Sequence, residues 1–203
     1  MSFTLWFTGL PSSGKSTVAK RVEEEIRSRG LDVHNLDGDD LRKKLHPDLG
    51  FSKEERFVNN KRIAFISRLL NENNVGSIVA AVSPFKKARQ YARDEIEQDG
   101  EFVEIFVDCP VEVCKERDPK GLYEKAEKGH IDKFTGVNHP FEDPEDPEIV
   151  VDTAEKSIDQ CVDHVIDRLE EIGLLESKDE YTGLGDRDKK EIKDRLENLG
   201  YLG

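Results

Sequence analysis

The chain has few cysteines, few aromatic side chains and no long hydrophobic run. Of its 203 residues, three are cysteine, one is tryptophan and 7% are aromatic. Cys109, Cys114 and Cys161 are odd in number and lack a metal-ligand spacing. They therefore predict free thiols in a reducing cytoplasm, not a disulfide framework or a zinc site. Since no apolar run approaches the ~20 residues of a membrane helix and no basic-then-apolar leader is seen, we expect neither a membrane anchor nor a targeting segment.

Positive charge is also in short supply. The chain has 31 lysines and arginines against 44 acidic residues, which leaves a net charge of −13. Such a chain repels nucleic acid and acidic membranes, so we expect neither as a partner. The remaining cations then suggest a local site for an anionic substrate. Those near predicted strand ends or loops are Arg42, Arg56, Arg62, Lys86, Lys87, Arg89, Arg117 and Lys120.

The clearest motif is a phosphate-binding loop. Residues 9–16 read GLPSSGKS and complete the pattern G-x-x-x-x-G-K-[ST], between a predicted strand at 3–8 and a predicted helix at 17–29. In this setting backbone N–H groups surround the phosphates of ATP, Lys15 reaches the β/γ oxygens and the Ser16 hydroxyl ligates Mg²⁺. The sequence therefore predicts a nucleoside triphosphate site formed by Gly9, Leu10, Pro11, Ser12, Ser13, Gly14, Lys15, Ser16 and Thr17.

Strand and helix patterns alternate along the rest of the chain. The pattern predicts further strands at 33–36, 77–82, 102–107 and 149–151, and helices at 52–73, 85–98 and 158–172. This alternation predicts an α/β fold, with a parallel five-stranded sheet covered by helices on both faces and ligands at the carboxyl edge of the strands.

Two segments fall outside this alternation. Residues 118–147 show little periodicity, so we interpret them as a structureless lid that closes over the site. Residues 176–203 are predicted to form a polar C-terminal extension with a short helix at about 190–199, outside a domain of residues 1–175.

Two carboxylates follow the second predicted strand, beside the phosphate loop. An acceptor alcohol would lie there, and it needs a base within hydrogen-bond reach, a role that Asp37 or Asp39 could fill. A helix N-cap or a turn is the alternative for such a D-G-D run. Arg42, one turn later, favours an anion site.

Longer blocks of sequence narrow the function. They are GLPSSGKST (9–17), DGDDLR (37–42), LGFSKEERFVNNKR (49–62), SPFKKAR (83–89), FVDCPVEVCKERDPKGLY (106–123), FTGVNHPFEDP (134–144) and VVDT (150–153). In this order they resemble the adenylylsulfate (APS) kinase family, and RDPKGLY is much more specific than the phosphate loop. The resemblance implies a P-loop kinase fold. It also implies transfer of phosphate from ATP to the 3′-hydroxyl of adenosine 5′-phosphosulfate (APS), which gives 3′-phosphoadenylylsulfate and ADP in sulfate assimilation.

The resemblance also implies roles for individual residues. Asp39 matches the catalytic base, Lys15 stabilises the transferred phosphoryl group and Asp37 holds Mg²⁺ through water. Phe51 and Phe134 match two aromatics that sandwich the substrate adenine, with core packing as the alternative. The implied substrate-binding residues are Asp39, Arg42, Phe51, Arg56, Asn59, Ser83, Lys120 and Phe134, and Arg117 is implied near the ATP base.

Ser83 matches a serine to which the family sometimes assigns a transient phosphoserine. Direct transfer needs no such intermediate, so a hydrogen-bonding role is more economical. The chain departs from the family pattern at Asp40 (commonly Asn), Asn60 and Lys61 (commonly Ile and Arg) and Phe85 (commonly Tyr). These departures bear on affinity more than on activity.

The resemblance further suggests a homodimer and a functional association with ATP sulfurylase. Two rival functions remain open. One is a P-loop kinase for another alcohol, such as gluconate, shikimate or an antibiotic. The other is a catalytically silent nucleotide-binding subunit that regulates or scaffolds a partner sulfurylase. The joint presence of Lys15, Ser16, Asp37 and Asp39 disfavours it.

Overall fold

The computed structural model describes residues 2–45 and 47–177. Contacts divide the chain after Arg168, and every candidate site residue lies before this point. The domain boundary predicted at residue 175 stays a prediction. The helix predicted at about 190–199 lies outside the described residues.

Strands and helices alternate through the described part of the chain. The strands are β1 (Phe3–Thr8), β2 (Val33–Asp37), β3 (Gly76–Ala80), β4 (Glu101–Asp108) and β5 (Ile149–Asp152). The helices are α1 (Lys15–Ser28), α2 (Gly38–Lys44), α3 (Lys53–Glu72), α4 (Lys86–Ile96), α5 (Val111–Arg117), α6 (Leu122–Glu127) and α7 (Ile158–Glu171). All strand pairs are parallel, in the order β2-β3-β1-β4-β5. The predicted α/β fold with a parallel five-stranded sheet is confirmed.

Both faces of the central strands are buried. Each of these strands contributes residues to both faces, because successive side chains point to opposite sides of the sheet. On one face Trp6 and Val79 pack in a cluster with residues of α3 and α4, among them Ile63 and Ala92. On the other face Leu5 and Phe7 of β1 and Ile78 of β3 are also fully buried. Burial on both sides explains why the central strands read as nearly continuous apolar runs.

Helix α3 begins at the predicted capping box. The Ser52 hydroxyl accepts from the backbone N–H of Glu55 at 3.2 Å, and the Glu55 carboxylate accepts from the backbone N–H of Ser52 at 2.9 Å. These bonds satisfy two donors that the first helical turn leaves free. The box fixes where α3 starts, directly after Phe51.

Strand β3 ends two residues earlier than predicted. The Thr8 hydroxyl donates to the Val82 carbonyl at 2.9 Å, and Ser83 has a φ of 42°. A positive φ is uncommon for a residue with a side chain and cannot continue a strand. The chain therefore leaves the sheet at Ala81 and turns Ser83 towards the strand ends.

The prediction that residues 118–147 lack structure is wrong for the first part of the segment. Helix α6 forms there, and Tyr123, Ala126 and Phe134 pack in a buried cluster with Cys109 and Cys114. The Asp118 carboxylate stabilises the start of this helix, because it accepts hydrogen bonds from the backbone N–H groups of Leu122, Tyr123 and Glu124 at 2.8–3.2 Å. The short apolar pattern of this cluster was too irregular to be recognised as an element.

Candidate active site

The phosphate loop lies at the carboxyl end of β1. Gly9 has a φ of 150°, and a Cβ there would lie 2.5 Å from the Val107 carbonyl oxygen of β4. Gly14 has a φ of 96° and precedes α1, in which the backbone N–H groups of Thr17 and Val18 donate to the Gly14 carbonyl at 3.0 Å. Both conformations favour glycine. The two glycines of the motif therefore allow the loop to lie against the sheet and to lead into the helix.

Lys15 is buried, with 7% of its surface exposed. Its Nζ donates to the Leu10 carbonyl at 2.5 Å and to the Ser13 hydroxyl at 3.3 Å, so the ammonium group folds back over the loop. Burial lowers the pKa of Lys15 to about 8, despite the opposing effect of nearby acidic groups. The loop thus holds a cation that no carboxylate of the described residues contacts directly.

Ser16 and Asp37 join the loop to β2. The Ser16 hydroxyl donates to Asp37 Oδ2 at 2.9 Å. The other oxygen of Asp37 accepts from the backbone N–H groups of Asp39 and Asp40 at 2.9 and 3.2 Å, so Asp37 is the N-cap of α2. The N-cap considered for this run is therefore present, and the same carboxylate also faces the phosphate loop.

Helix α2 carries Asp39 into the site. Its Oδ2 accepts from Lys120 Nζ at 2.5 Å, and both side chains are mostly exposed. The hydrogen bond to Asp39 raises the pKa of Lys120 above its usual value. Because Lys120 precedes α6, this ion pair connects the Asp39 carboxylate to residues 118–147, the segment interpreted as a lid.

Phe51, at the end of a loop, has two arginines close to its ring. The guanidinium carbons of Arg42 and Arg56 lie 4.5 and 5.3 Å from its ring centroid. Arg42 donates to the Gly50 carbonyl at 2.8 Å, and Arg56 donates to the carbonyls of Phe51 and Lys133 at 3.0 and 2.9 Å. The arginines therefore hold the loop while their charges stay without a carboxylate partner among these contacts.

This arrangement leaves the arginine pair ready for an anion. Burial lowers the pKa of Arg56 to about 10, and the neighbouring charge of Arg42 adds to the effect. Burial also lowers the pKa of Arg42. Both shifts mean that the protonated groups are poorly solvated, and an anionic ligand would relieve that cost.

The environment of Phe134 differs from that of Phe51. It is 8% exposed, and its ring meets Tyr123 edge to face at 4.9 Å between centroids. Phe51, in contrast, is 47% exposed. Phe134 therefore has the core packing considered as its alternative, yet it also lines the cavity described below.

Ser83 is buried at the carboxyl end of β3. Its hydroxyl accepts from Trp6 Nε1 at 3.1 Å and donates to Asn60 Oδ1 at 3.5 Å, and its carbonyl accepts from Arg89 at 2.8 Å. A hydroxyl that accepts from an indole and is 3% exposed is poorly placed as a nucleophile. The geometry favours the hydrogen-bonding role over the phosphoserine.

Arg117 is held by a residue to which the sequence assigned no role. It donates to the Thr153 carbonyl at 2.5 Å and to the Thr153 hydroxyl at 3.3 Å. That hydroxyl in turn donates to the Ser13 carbonyl of the phosphate loop at 2.7 Å. Thr153 stood at the end of a block that resembles the family, which was the only signal for it.

These groups surround one cavity of about 1090 Å³. It is lined by most of the predicted site residues: Pro11, Ser12, Gly14, Lys15, Ser16, Thr17, Asp37, Asp39, Arg42, Phe51, Arg56, Asn59, Ser83, Arg117, Lys120 and Phe134. Gly9, Leu10 and Ser13 do not line it. Sequence reasoning missed several lining residues that carry polar atoms, namely Lys133, Thr153, Lys156, Ser157 and Cys161.

The cavity is positive although the chain is acidic. Seven lysines and arginines line it against three aspartates. Four cations of the patch expected from the sequence are elsewhere. Arg62 pairs with Asp48, Lys86 with Glu145 and Arg89 with Glu104, at 2.8, 2.5 and 2.6 Å, and Lys87 lies over the Phe57 ring. Proximity to a predicted strand end could not distinguish a cation facing the cavity from one in an ion pair.

Three further properties hold for the described residues. Among them, no helix combines the length and the apolar character needed to cross a membrane. No group of three or more His, Cys, Asp or Glu side chains there is arranged to hold a metal ion. Cys109, Cys114 and Cys161 are free and buried, as predicted for thiols.

Known proteins resemble this chain over most of its length. A family model described as Adenylylsulphate kinase matches residues 1–152. An adenylyl-sulfate kinase from Halothermothrix orenii is 45% identical over 172 residues, which cover 85% of this chain and 91% of that protein.

Solved structures agree with this match. The Mycobacterium tuberculosis APS kinase in complex with AMPPNP and APS has a TM-score of 0.80 and 41% identity, covering 83% of this chain and 98% of that one. A hexameric APS kinase from Thiobacillus denitrificans has a TM-score of 0.67 and 34% identity, covering 86% of this chain and 30% of that one.

Proposed function

The chain belongs to the adenylylsulfate kinase family, and from this premise we propose that it transfers the γ-phosphoryl group of ATP to the 3′-hydroxyl of APS. The products are 3′-phosphoadenylylsulfate and ADP. The observation that carries the proposal is the position of α2 and the contacts that its residues make. Its N-cap Asp37 accepts from Ser16 of the phosphate loop, and Arg42 near its end stacks on Phe51. Asp39 lies between them, so one short helix links a donor site to an acceptor site.

The phosphate loop and Lys15 bind and orient the donor. Backbone N–H groups at the start of α1 point towards the phosphates. Lys15 Nζ exchanges its bonds to the Leu10 carbonyl and the Ser13 hydroxyl for phosphate oxygens. Because the ammonium group is already desolvated, this exchange adds charge stabilisation where negative charge develops in the transition state.

Ser16 and Asp37 fit a magnesium ion. Their oxygens are 2.9 Å apart, and one hydroxyl with one carboxylate suits a cation that keeps several of its waters. Mg²⁺ bound with ATP would neutralise charge on the β- and γ-phosphates.

Asp39 accepts the proton of the acceptor hydroxyl. Its Oδ2 is paired with Lys120 Nζ at 2.5 Å, so one carboxylate oxygen can receive the proton in the paired state and both can once Lys120 moves away. The phosphate being transferred offers Lys120 an alternative anion. In this scheme the Lys120 ammonium group moves from Asp39 to the transferred phosphoryl group, and Asp39 accepts the proton as the base.

The acceptor nucleotide lies against Phe51. Its adenine stacks between Phe51 and Phe134, and its phosphosulfate meets Arg42 and Arg56, whose charges no carboxylate neutralises among their contacts. Arg117, fixed by Thr153, lies beside the base of ATP. Residues 118–147 close over both nucleotides and exclude water, which limits wasteful hydrolysis.

The coupled release of ADP tests the proposal. ADP should form with ATP, Mg²⁺ and APS, and not when gluconate or shikimate replaces APS. Transfer to such an alcohol instead would indicate a kinase of another substrate class. No product with any acceptor, while ATP still binds, would indicate a silent nucleotide-binding subunit.

We also propose a homodimer, a functional association with ATP sulfurylase and action in a reducing cytoplasm that keeps the three thiols free. A relative is hexameric, so the oligomeric state needs direct measurement. Light scattering after gel filtration should give twice the 23.1 kDa of the chain.

A further inference from the structure

Among the described residues, two that line the cavity carry a buried polar atom without a hydrogen-bond partner, Asn60 Nδ2 and the Thr135 hydroxyl, and the inference concerns Asn60. Asn60, on α3, is 3% exposed and lines the cavity. Its Oδ1 accepts from the Ser83 hydroxyl at 3.5 Å, whereas its Nδ2 is buried and unpaired in the structure. A buried amide donor without a partner costs stability, and such groups are rare in native proteins. Within the described residues, this one lies in the wall of the site that would receive the acceptor.

The surroundings of Asn60 indicate what it binds. Arg56 precedes it by one helical turn, so both side chains lie on the same face of α3. The guanidinium of Arg56 and the free Nδ2 of Asn60 are donors only. Ser83, which Asn60 touches, already accepts from Trp6. The complementary ligand is therefore a group that only accepts hydrogen bonds, and an anion satisfies both neighbours.

We propose that Asn60 Nδ2 donates a hydrogen bond to the phosphosulfate group of APS and so contributes to recognition of the acceptor. This inference rests on the proposed function. It also gives a role to a departure of this chain from its family, in which isoleucine is common at this position.

Steady-state kinetics of two matched variants test the inference. Asn60→Leu removes the amide and keeps a branched side chain of similar size. Ser67→Ala is the control, because Ser67 is also buried on α3 with an unpaired hydroxyl but does not line the cavity. Asn60→Leu should raise the KM for APS about tenfold, as expected for a lost bond to a charged group, and leave the KM for ATP within about twofold. Ser67→Ala should change neither.

Two competitive inhibitors identify the ligand group. AMP carries a 5′-phosphate and adenosine carries no anion. Asn60→Leu should weaken inhibition by AMP and leave inhibition by adenosine unchanged. An equal loss for both would place Asn60 at the base or the ribose, and an unchanged KM for APS would show no contact; either result overturns the proposal.

Thermal unfolding separates recognition from packing. Without ligand, Asn60→Leu should change Tm little, because removal of the unpaired buried donor offsets loss of the long bond that Oδ1 accepts from the Ser83 hydroxyl at 3.5 Å. A lower Tm with the KM values for APS and ATP rising together would identify Asn60 as a packing residue and contradict the proposal. Turnover of APS by the wild type tests the proposed function separately from these comparisons.

Discussion

Nucleotide binding should weaken as pH rises through about 8, because Lys15 must be protonated to bind phosphate. Burial in the free protein lowers the pKa of Lys15 to about 8. Bound phosphates would raise it again, so the bound form holds its proton over a wider pH range. The protonated fraction of free Lys15 is about one half at pH 8 and about one-tenth at pH 9. The apparent Kd for ATP with Mg²⁺ should therefore rise about tenfold between pH 7 and pH 9.

Isothermal titration calorimetry with a non-hydrolysable ATP analogue measures this effect directly. At pH 8 the complex should take up about half a proton per nucleotide, seen as a dependence of the binding enthalpy on the ionisation enthalpy of the buffer. Lys15→Arg is the matched control, because arginine stays protonated throughout this range. Its affinity should be lower but independent of pH. A flat profile for the wild type, with no proton uptake, would refute the reasoning that burial destabilises the Lys15 charge.

Three further substitutions test the assigned roles. Asp39→Asn should lower kcat by about 10²–10⁴-fold and leave nucleotide binding intact. Asp40→Asn, next to it but outside the cavity lining, should leave kcat unchanged; an unchanged kcat for Asp39→Asn would show that another group is the base. Phe51→Ala should raise the KM for APS about 5- to 150-fold, because about 1–3 kcal/mol of base stacking is lost. Phe65→Ala, equally exposed at 47% on α3, should leave this KM unchanged; a rise in the KM for ATP alone would show that Phe51 contacts the purine of ATP instead. Ser52→Ala should remove the cap of α3 and lower the free energy of unfolding by about 1 kcal/mol, or Tm by about 2–4 °C; an unchanged denaturation profile would show that the capping box contributes no stability.

The sequence predicts those parts of the fold that depend on local pattern. The continuous apolar strands, the phosphate loop and the capping box at Ser52 each depend on neighbouring residues, and the structure contains all three. Helices α2, α5 and α6 have six or seven residues each. A helix this short shows hardly two turns of periodicity, so its apolar face could not be recognised.

Contacts distant in sequence explain what the sequence could not predict about the site. Arg89 lies near a strand end, as Arg42 does, but it pairs with Glu104 of β4 and binds the Ser83 carbonyl instead of facing the cavity. Thr153 meets Ser13 across 140 positions of chain. The unpaired amide of Asn60 is likewise visible only once α3 lies against β3. Each of these depends on packing, which spacing along the chain does not encode.

Identification of the product of APS, ATP and Mg²⁺ tests the central claim most directly. Mass spectrometry and phosphorus NMR of the purified product should show one added phosphate on the 3′-oxygen, with the sulfate retained and one ADP formed per turnover. Release of inorganic phosphate without a phosphorylated nucleotide, or phosphate on another oxygen, would contradict a cavity that aims the 3′-hydroxyl of APS between Asp39 and the terminal phosphate of ATP.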